Sequence, residues 1–179
     1  LFSSGRWSRM WYVIQVVGGQ EHAVIHQIEK LADETTYASC FIPQYEVKKK
    51  YGGVWKYRQE VLFPGYVFVD TKTPEDFRKE LNKVSRMTKL LHDGNERFIP
   101  LADDEKTIIS AFIGDDDHVM KMSEGIIEGD EIVVLKGPLM NHLGLVKKID
   151  RHKRLAYLEI MICSRKTTIK AGLEIVKKH

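Results

Sequence analysis

The segment VKKIDRHKR, residues 146–154, places six basic side chains around a single carboxylate, Asp150. These cations do not stabilise a short turn, because exposed like charges repel one another and exposed ion pairs are individually weak. Lysine binds phosphate as a point charge, and arginine makes paired hydrogen bonds to phosphate or guanine. The segment therefore offers the chemistry of polyanion binding, and the ordinary alternative is a solvated turn.

Residues of the same kind recur in the last third of the chain. Arg165, Lys166 and Lys170 come later in the sequence, and Asn141 and His142 precede the basic segment with side chains that hydrogen-bond to bases or phosphates. Repeated cations on one small domain favour structured RNA as the ligand. The predicted RNA-binding residues are Asn141, His142, Lys147, Lys148, Arg151, His152, Lys153, Arg154, Arg165, Lys166 and Lys170.

The net charge of +3 is unevenly distributed. Residues 127–179 carry 11 Lys and Arg against 6 Asp and Glu, residues 114–126 carry 1 against 4, and residues 10–113 carry 14 against 15. Such asymmetry is typical of a basic module that meets a polyanion, although net charge says nothing about fold. We therefore place the predicted polyanion site in the last segment.

A second cationic segment is VKKKYGGVWKYR, residues 47–58, which interleaves lysines and an arginine with Tyr51, Trp55 and Tyr57. Cations neutralise phosphate and aromatic rings stack on exposed bases, so this composition suits single-stranded nucleic acid. An exposed hairpin also has this composition for solubility alone. Both interpretations stay open from the sequence.

Enzymatic chemistry has little support. The sequence has no phosphate-binding glycine loop and no nucleophile motif, and the carboxylates at 115–117 lie in a predicted linker. His22 and His26 lie one helical turn apart but lack the intervening Glu of a catalytic zinc motif, which favours a solvated face. Cys40 and Cys163 have no metal-ligand spacing. We expect a protein that is not an enzyme and that holds no cofactor or metal.

The composition, 43% apolar and 30% charged, is ordinary for a soluble globular protein. No stretch approaches the roughly 18 apolar residues of a membrane span, and no secretory signal is recognisable. We expect a cytoplasmic monomer without membrane contact. The opening LFSSGRWSR has no hydrophobic period, so we interpret residues 1–9 as a remnant of the expression vector.

Apolar periodicity predicts the elements that must position these residues. The first part is predicted to hold a strand at 11–17, a helix at 20–32, two strands at 40–50 and 55–70 joined as a hairpin around Gly52 and Gly53, a helix at 74–81, a strand at 88–93 and, within segment 100–113, a helix capped by Asp103 or Asp104. This βαββαβα order predicts an α+β fold, an α/β sandwich with helices packed on an antiparallel sheet.

Residues 114–126 are polar, acidic and bounded by glycines, which predicts a flexible linker without packed elements. Short apolar runs separated by turn residues then predict a small five-stranded β-barrel. Its predicted strands are residues 131–137, 144–150, 154–162, 166–170 and 173–178. The predicted domains are residues 10–113, the linker at 114–126, and residues 127–179.

The chain resembles a known family, the NusG-type transcription elongation factors, over four stretches. They are WYVIQVVGGQEHAVIHQIEKL, FIPQYEV, LFPGYVFVD and EGDEIVVLKGPLMNHLGLVKKID. Each is weak alone, but their order and separation make the combination specific. The resemblance implies a NusG N-terminal (NGN) domain and a C-terminal KOW domain with an SH3-like barrel, in which Gly144 takes the place of the motif's glycine.

The same resemblance implies a polymerase-binding surface. In similar proteins the region around LFPGYVFVD grips the clamp helices of the largest RNA polymerase subunit, and some relatives also contact the non-template DNA strand. From the residues alone, Tyr66 and Phe68 could equally fill one face of a sheet. The implied polymerase-binding residues are Trp11, Phe63, Pro64, Gly65, Tyr66, Phe68 and Leu90.

One departure from the family pattern concerns the late barrel. General NusG proteins carry an aromatic-Gly-Arg-x-Thr-Pro stretch there, associated with termination-factor and ribosome contacts, whereas this chain has ICSRKTTIK. With the basic segment 146–154, the chain is most similar to the LoaP group of antiterminator paralogues, which implies recognition of an RNA hairpin in a nascent leader transcript. The alternatives are a general elongation factor whose barrel binds proteins, and an RfaH-like factor, although the period-2 runs favour a stable barrel.

Overall fold

The computed structural model describes residues 10–84, 88–90, 99–114 and 116–176, with only the backbone described at 88–90. In chain order the elements are β1 (Trp11–Val16), α1 (Glu21–Leu31), β2 (Ser39–Phe41), β3 (Gln44–Tyr51), β4 (Val54–Val61), β5 (Tyr66–Asp70), α2 (Pro74–Leu81), β6 (Thr88–Leu90), α3 (Asp103–Ile113), β7 (Val119–Met120), β8 (Ser123–Glu128), β9 (Glu131–Lys136), β10 (Val146–Asp150), β11 (Leu155–Ile162) and β12 (Arg165–Ile175), with 3₁₀ turns at Glu34–Thr36 and Leu143–Leu145. The described residues form two compact units, one within 1–42 and 64–102 and the other within 43–63 and 103–179.

The first unit is built on an antiparallel sheet with the strand order β2-β5-β1-β6. Ile14 and Val67 lie opposite each other in neighbouring strands, and both are fully buried. Helix α1 buries Val24 and Ile28 at helical spacing. Helix α2 has Pro74 in its first turn, where the missing N–H costs no hydrogen bond.

The turn before β5 depends on a glycine and a buried carboxylate. Gly65 has φ +84°, and an added Cβ would lie 3.3 Å from the carbonyl oxygen of Val16, so the position is suited to glycine. The Glu21 carboxylate accepts hydrogen bonds from the backbone N–H groups of Gly65 (2.7 Å) and Gly19 (3.2 Å). Burial acts to raise the pKa of Glu21, but these backbone donors outweigh it, so the pKa lies below its ordinary value.

The second unit contains two sheets. A curled five-stranded sheet has the order β10-β11-β12-β8-β9, and a three-stranded sheet has the order β4-β3-β7. On β11, Leu158, Ile160 and Ile162 point to one side and are buried, as the period-2 pattern predicts. Helix α3 belongs to this unit, and its Glu105 side chain accepts a hydrogen bond from the backbone N–H of Ser164.

The predicted α+β class is confirmed, but the predicted strand order is wrong in one respect. The runs at 40–50 and 55–70 are each divided, so that β2 and β5 lie in the first sheet while β3 and β4 form the hairpin of another. Pro43 and Pro64 lie at the two interruptions. Proline cannot donate a ladder hydrogen bond, which explains why the strands end there.

The prediction that residues 114–126 hold no packed element is also wrong. Val119–Met120 is β7, paired parallel with β3, and Ser123 in β8 is fully buried, with its hydroxyl accepting a hydrogen bond from the N–H of Leu139. Charged residues separate the apolar residues of this segment, so its sequence pattern does not indicate strands. The strands are recognised only from their pairing in the structure. The domain boundaries at 113/114 and 126/127 stay predictions.

The barrel has five strands, as predicted, but two of the predicted strands are a single strand and one observed strand was not predicted. The runs at 166–170 and 173–178 were predicted as separate strands but fall within one strand, β12, because Ala171 and Gly172 continue the ladder to β11. The fifth strand is β8, which lies between β12 and β9. Among the described residues, no helix is long and apolar enough to cross a membrane.

Candidate nucleic-acid interface

The basic segment 146–154 comprises the whole of β10 (Val146–Asp150) and the turn into β11. The Asp150 carboxylate accepts a hydrogen bond from the N–H of Lys153 (3.0 Å), and this backbone donor is the main reason that the pKa of Asp150 is lowered. The carboxylate thus closes the turn while the cations face solvent. The exposed members are Lys147, Lys148, Arg151, His152 and Lys153.

Next to this turn, three side chains form a row across neighbouring strands. Lys148 of β10 lies opposite Tyr157 of β11, which lies opposite Lys170 of β12. Residues directly opposite each other in antiparallel strands share a face, so the row lies on the side of the sheet away from the buried Leu158. Lys148 Nζ lies 5.7 Å from the centroid of the Tyr157 ring, and both lysines are exposed. We call Lys148, Tyr157 and Lys170 the basic row.

Arg154 differs from its neighbours because it already has two partners. Its guanidinium donates a hydrogen bond to Glu174 (2.9 Å) and stacks on the Trp55 ring at 3.7 Å from the centroid. Both partners are distant in sequence, and Arg154 is half-buried. This predicted RNA-binding residue therefore joins the turn to the β3–β4 hairpin.

The remaining predicted cations lie elsewhere on the sheet. Arg165 and Lys166 follow the turn at the far end of β11, separated from the basic turn by the eight residues of Leu155–Ile162, or about 27 Å of strand at 3.4 Å per residue. Lys166 Nζ lies 3.8 Å from the Glu159 carboxylate. The single basic footprint expected from the sequence is thus two separate groups, with Lys170 in the first.

The loop after β9 holds Asn141 and His142. Asn141 is exposed with φ +70°, a conformation that Asn adopts more readily than most residues. His142 Nδ1 lies 3.1 Å from the carbonyl oxygen of Pro138 and 3.2 Å from that of Met140. Both oxygens can only accept a hydrogen bond, so the Nδ1–H group is the donor. The imidazole also packs edge-on against Phe112 at 5.1 Å. His142 therefore fixes this loop against α3.

The hairpin β3–β4 packs against the barrel. Lys48 Nζ lies 2.5 Å from a Glu174 oxygen, and Glu46 accepts a hydrogen bond from the N–H of Met122. A Cβ at Gly172 would lie 2.3 Å from the carbonyl oxygen of Glu46, so the two backbones approach closely where glycine allows it. Sequence reasoning missed this contact, because Lys48 and Glu174 are 126 residues apart.

A groove of about 450 Å³ lies along this contact. Among its described lining residues are three aromatic side chains, five lysines and one carboxylate, Glu60. That carboxylate accepts hydrogen bonds from Lys49 and from the Tyr45 hydroxyl. Burial acts to raise the pKa of Glu60, but these donors outweigh it and the pKa is lowered. The groove is therefore cationic with aromatic walls.

The predicted polymerase-binding residues are divided between exposed and buried positions. In the first unit, Trp11, Phe41 and Phe68 form an aromatic cluster, with Trp11 to Phe41 at 5.0 Å and Phe41 to Phe68 at 5.5 Å between ring centroids. Phe68 is fully buried, whereas Trp11 is half-buried. The others are placed as follows: Pro64 is exposed, Gly65 and Tyr66 are half-buried, Phe63 is buried in the second unit, and the Leu90 side chain lies outside the described residues.

Other candidate chemical groups are accounted for. His22 and His26 are exposed on α1, as the sequence predicts. Burial raises the pKa of Cys40 to about 12 and that of Cys163 to about 11, so both thiols are protonated at neutral pH. In the part of the chain that the structure describes, no group of three or more metal-ligating side chains comes together.

The fold and this surface define a class: a mixed α+β protein with a small curled barrel that carries an exposed basic row. A family model described as "Transcription termination factor nusG" matches residues 9–125. The chain therefore belongs to the NusG family.

Individual relatives are similar over nearly the whole chain. The transcription termination/antitermination protein NusG of Buchnera aphidicola subsp. Baizongia pistaciae is 25% identical over 185 residues, covering 97% of this chain and 98% of its own. The NusG of Escherichia coli K12 is 25% identical over 182 residues, covering 95% and 96%. A solved structure described as "Domain interaction in Thermotoga maritima NusG" superposes with a TM-score of 0.59 at 22% identity, covering 92% and 93%.

Proposed function

We propose that this protein is an antitermination factor of the LoaP type, which binds RNA polymerase through its first unit and an RNA hairpin of the nascent transcript through its barrel. The observation that carries the RNA proposal is the basic row beside the exposed turn, where Lys148, Tyr157 and Lys170 share one face. Lysines on both sides of an aromatic ring provide phosphate contacts around a stacking surface, which suits RNA. Membership of the NusG family supports the polymerase half, because proteins of this family bind RNA polymerase.

Polymerase binding would use the aromatic surface around β5. Pro64 is exposed and Tyr66 half-buried, so these two offer the accessible part of the FPGY segment. The buried Phe68 supports them from the aromatic cluster. Contact with non-template DNA through the hairpin is a further part of the proposal, since Lys56 and Tyr57 are exposed on its strand β4.

A second candidate is a general elongation factor whose barrel binds a protein. It is favoured by three exposed apolar side chains near β9, Leu135 (51% exposed), Met140 (45%) and Leu143 (37%). Met140 and Leu143 also line a groove of about 430 Å³. Apolar surface beside a groove is typical of a protein-binding site.

Binding of the full chain to RNA stem-loops, single-stranded RNA and duplex DNA across salt concentrations separates the two candidates. We expect one class of stem-loop to bind at physiological salt, and Arg151→Ala to weaken that binding. Replacing a cation that contacts only phosphate with Ala should weaken all RNAs similarly and reduce the slope of log K against log salt by about one phosphate contact. Replacing a cation that reads a base should instead remove discrimination between RNAs.

The matched control is Lys136→Ala. Lys136 is an exposed lysine of β9 with its own ion pair to Glu124 (3.4 Å), outside the predicted RNA-binding residues. We expect this variant to bind like the parent protein. Weak binding of every nucleic acid that collapses with salt, with equal effects of Arg151→Ala and Lys136→Ala, would instead support the protein-binding candidate.

A further inference from the structure

The groove between the β3–β4 hairpin and the basic turn carries aromatic side chains that have no role in binding a paired RNA stem. Its aromatic walls include Trp55, which is 37% exposed, and Tyr157 of the basic row. Bases within a duplex are stacked on one another, so an aromatic side chain in the wall of this groove can stack only on an unpaired base. We infer that this groove binds an unpaired nucleotide of the RNA, with its base against Trp55 and its phosphates among the lysines; the inference rests on the proposed function.

The electrostatics of the groove fit an anion. Lys50, Lys153 and Lys170 line it and are exposed. The carboxylate in its wall, Glu60, already accepts hydrogen bonds from Lys49 and Tyr45, which offsets its repulsion of a phosphate. A nucleotide that enters this groove therefore meets a surplus of positive charge.

Neighbouring side chains hold the Trp55 ring in a fixed orientation on the hairpin. It lies opposite Lys50 in the β3–β4 ladder, and the Arg154 guanidinium stacks against its ring at 3.7 Å. Arg154 is in turn fixed by its hydrogen bond to Glu174. A ring that is ordered before binding loses less rotamer entropy when a base stacks on it. Stacking also tolerates every base, so the site selects for an unpaired base and not for its identity.

The groove is continuous with the surface proposed for the stem. Tyr157 and Lys170 belong both to the basic row and to the groove lining, and Lys153 belongs both to the turn and to the groove. An RNA whose stem lies on the turn therefore has an adjacent place for a nucleotide that leaves the stem. The volume of about 450 Å³ is in the range of clefts for small ligands, roughly 300–1,000 Å³.

The test uses the full chain and two RNA probes: a fully paired stem-loop that the protein binds, and the same stem-loop with one unpaired 2-aminopurine beside the stem. We expect the second RNA to bind more tightly and its 2-aminopurine fluorescence to be quenched. Trp55→Leu should remove that advantage, a loss of roughly tenfold or more in affinity for the second RNA, and should change the affinity for the paired stem-loop much less. Trp55→Phe, which keeps an aromatic ring, should restore most of it.

Val54→Ala is the matched control, since Val54 is an exposed residue of the same hairpin that lies outside the groove lining and is neither a cation nor an aromatic residue, so it should leave both affinities unchanged. Equal binding of both RNAs by the parent protein, or an equal loss for both RNAs in Trp55→Leu, would overturn the inference while the proposed function stands. If no stem-loop binds the parent protein and Arg151→Ala does not change its affinity for nucleic acid, the proposed function itself is refuted.

Discussion

Glu21 is a buried carboxylate that holds the Gly65 turn in place. It is 3% exposed and accepts two backbone N–H groups, from Gly65 and Gly19, that belong to different turns. A buried donor that loses its acceptor costs its full desolvation free energy. The conformation of the FPGY segment therefore depends on a residue 44 positions earlier in the chain.

We predict that Glu21→Ala lowers the free energy of unfolding by about 1–3 kcal/mol, because both N–H groups lose their acceptor. Glu21→Gln should cost less, since its carbonyl oxygen still accepts one of them. Urea denaturation followed by circular dichroism at pH 7 measures both values. Glu29→Ala, at an exposed position of the same helix, is the control and should change stability by no more than about 0.5 kcal/mol.

The pH dependence of this effect has a definite sign. The pKa of Glu21 is lowered in the folded state from its ordinary value of 4.5. Its charge therefore stabilises the fold fully above pH 4.5, and this stabilisation is lost as pH falls through the lowered pKa. The stability difference between the parent protein and Glu21→Gln should shrink below pH 4.5; a difference that stays constant down to pH 2 would contradict the role of the charge.

At the scale of residues, sequence reasoning located the cations and missed their partners. The exposed positions of Lys148 and Arg151 follow from their place around a turn between two apolar runs. The contacts of Arg154 with Trp55 and Glu174 depend on tertiary structure, and no local pattern encodes them. The fixed tautomer of His142 is likewise visible only once the carbonyl of Pro138 is located.

At the scale of elements, the attachment of the hairpin to the barrel centres on Glu174. Its carboxylate binds Lys48 and Arg154, and all three side chains are about one-fifth to one-quarter exposed. The hydrogen bond to Glu174 is the main reason that the pKa of Lys48 is raised. Partly buried charges that share hydrogen bonds are stronger than those of a solvated pair.

We predict that Glu174→Ala lowers the free energy of unfolding by about 1–3 kcal/mol, because it leaves two partly buried cations beside each other. Hydrogen exchange should also increase in β3 and β4, where the hairpin loses its attachment. Glu159→Ala is the matched control, since Glu159 forms a longer and more exposed pair with Lys166 at 3.8 Å. That pair should contribute no more than about 0.5 kcal/mol. Equal losses in both variants would contradict the attachment.

Element types were easier to predict than their membership of sheets. Strand β1 follows from a continuous aromatic and β-branched run, and helix α1 follows from apolar residues at helical spacing. The runs interrupted at Pro43 and Pro64 each contribute strands to two different sheets. Hydrophobic period does not show which sheet each half joins. Strand β8 was missed because glycine and glutamate flank its few apolar positions, while Ile126 is buried by β9 and β12.

At the scale of the whole molecule, the position of β8 determines where the chain can be cut. It pairs with β9 on one side and with β12 on the other, so its removal leaves β9 without a neighbour. We predict that a fragment of residues 119–179 folds and that residues 127–179, the domain expected from sequence, do not. The ¹H–¹⁵N correlation spectra of the two fragments make the comparison. A dispersed spectrum for residues 127–179 would contradict the role of β8.

The parallel pairing of β8 with β12 joins Ser123 to Leu173 and Gly125 to Ile175. During synthesis, β8 and β9 therefore leave the ribosome as an isolated hairpin, which is marginally stable in water. The barrel can close only after the last residues of β12 have been synthesised. Glu174, which pairs with Lys48 of the β3–β4 hairpin, becomes available at the same time. Non-local pairing of this kind is slow to form. The nascent chain must therefore complete its second unit in one late step, although the β3–β4 hairpin that belongs to this unit was translated long before.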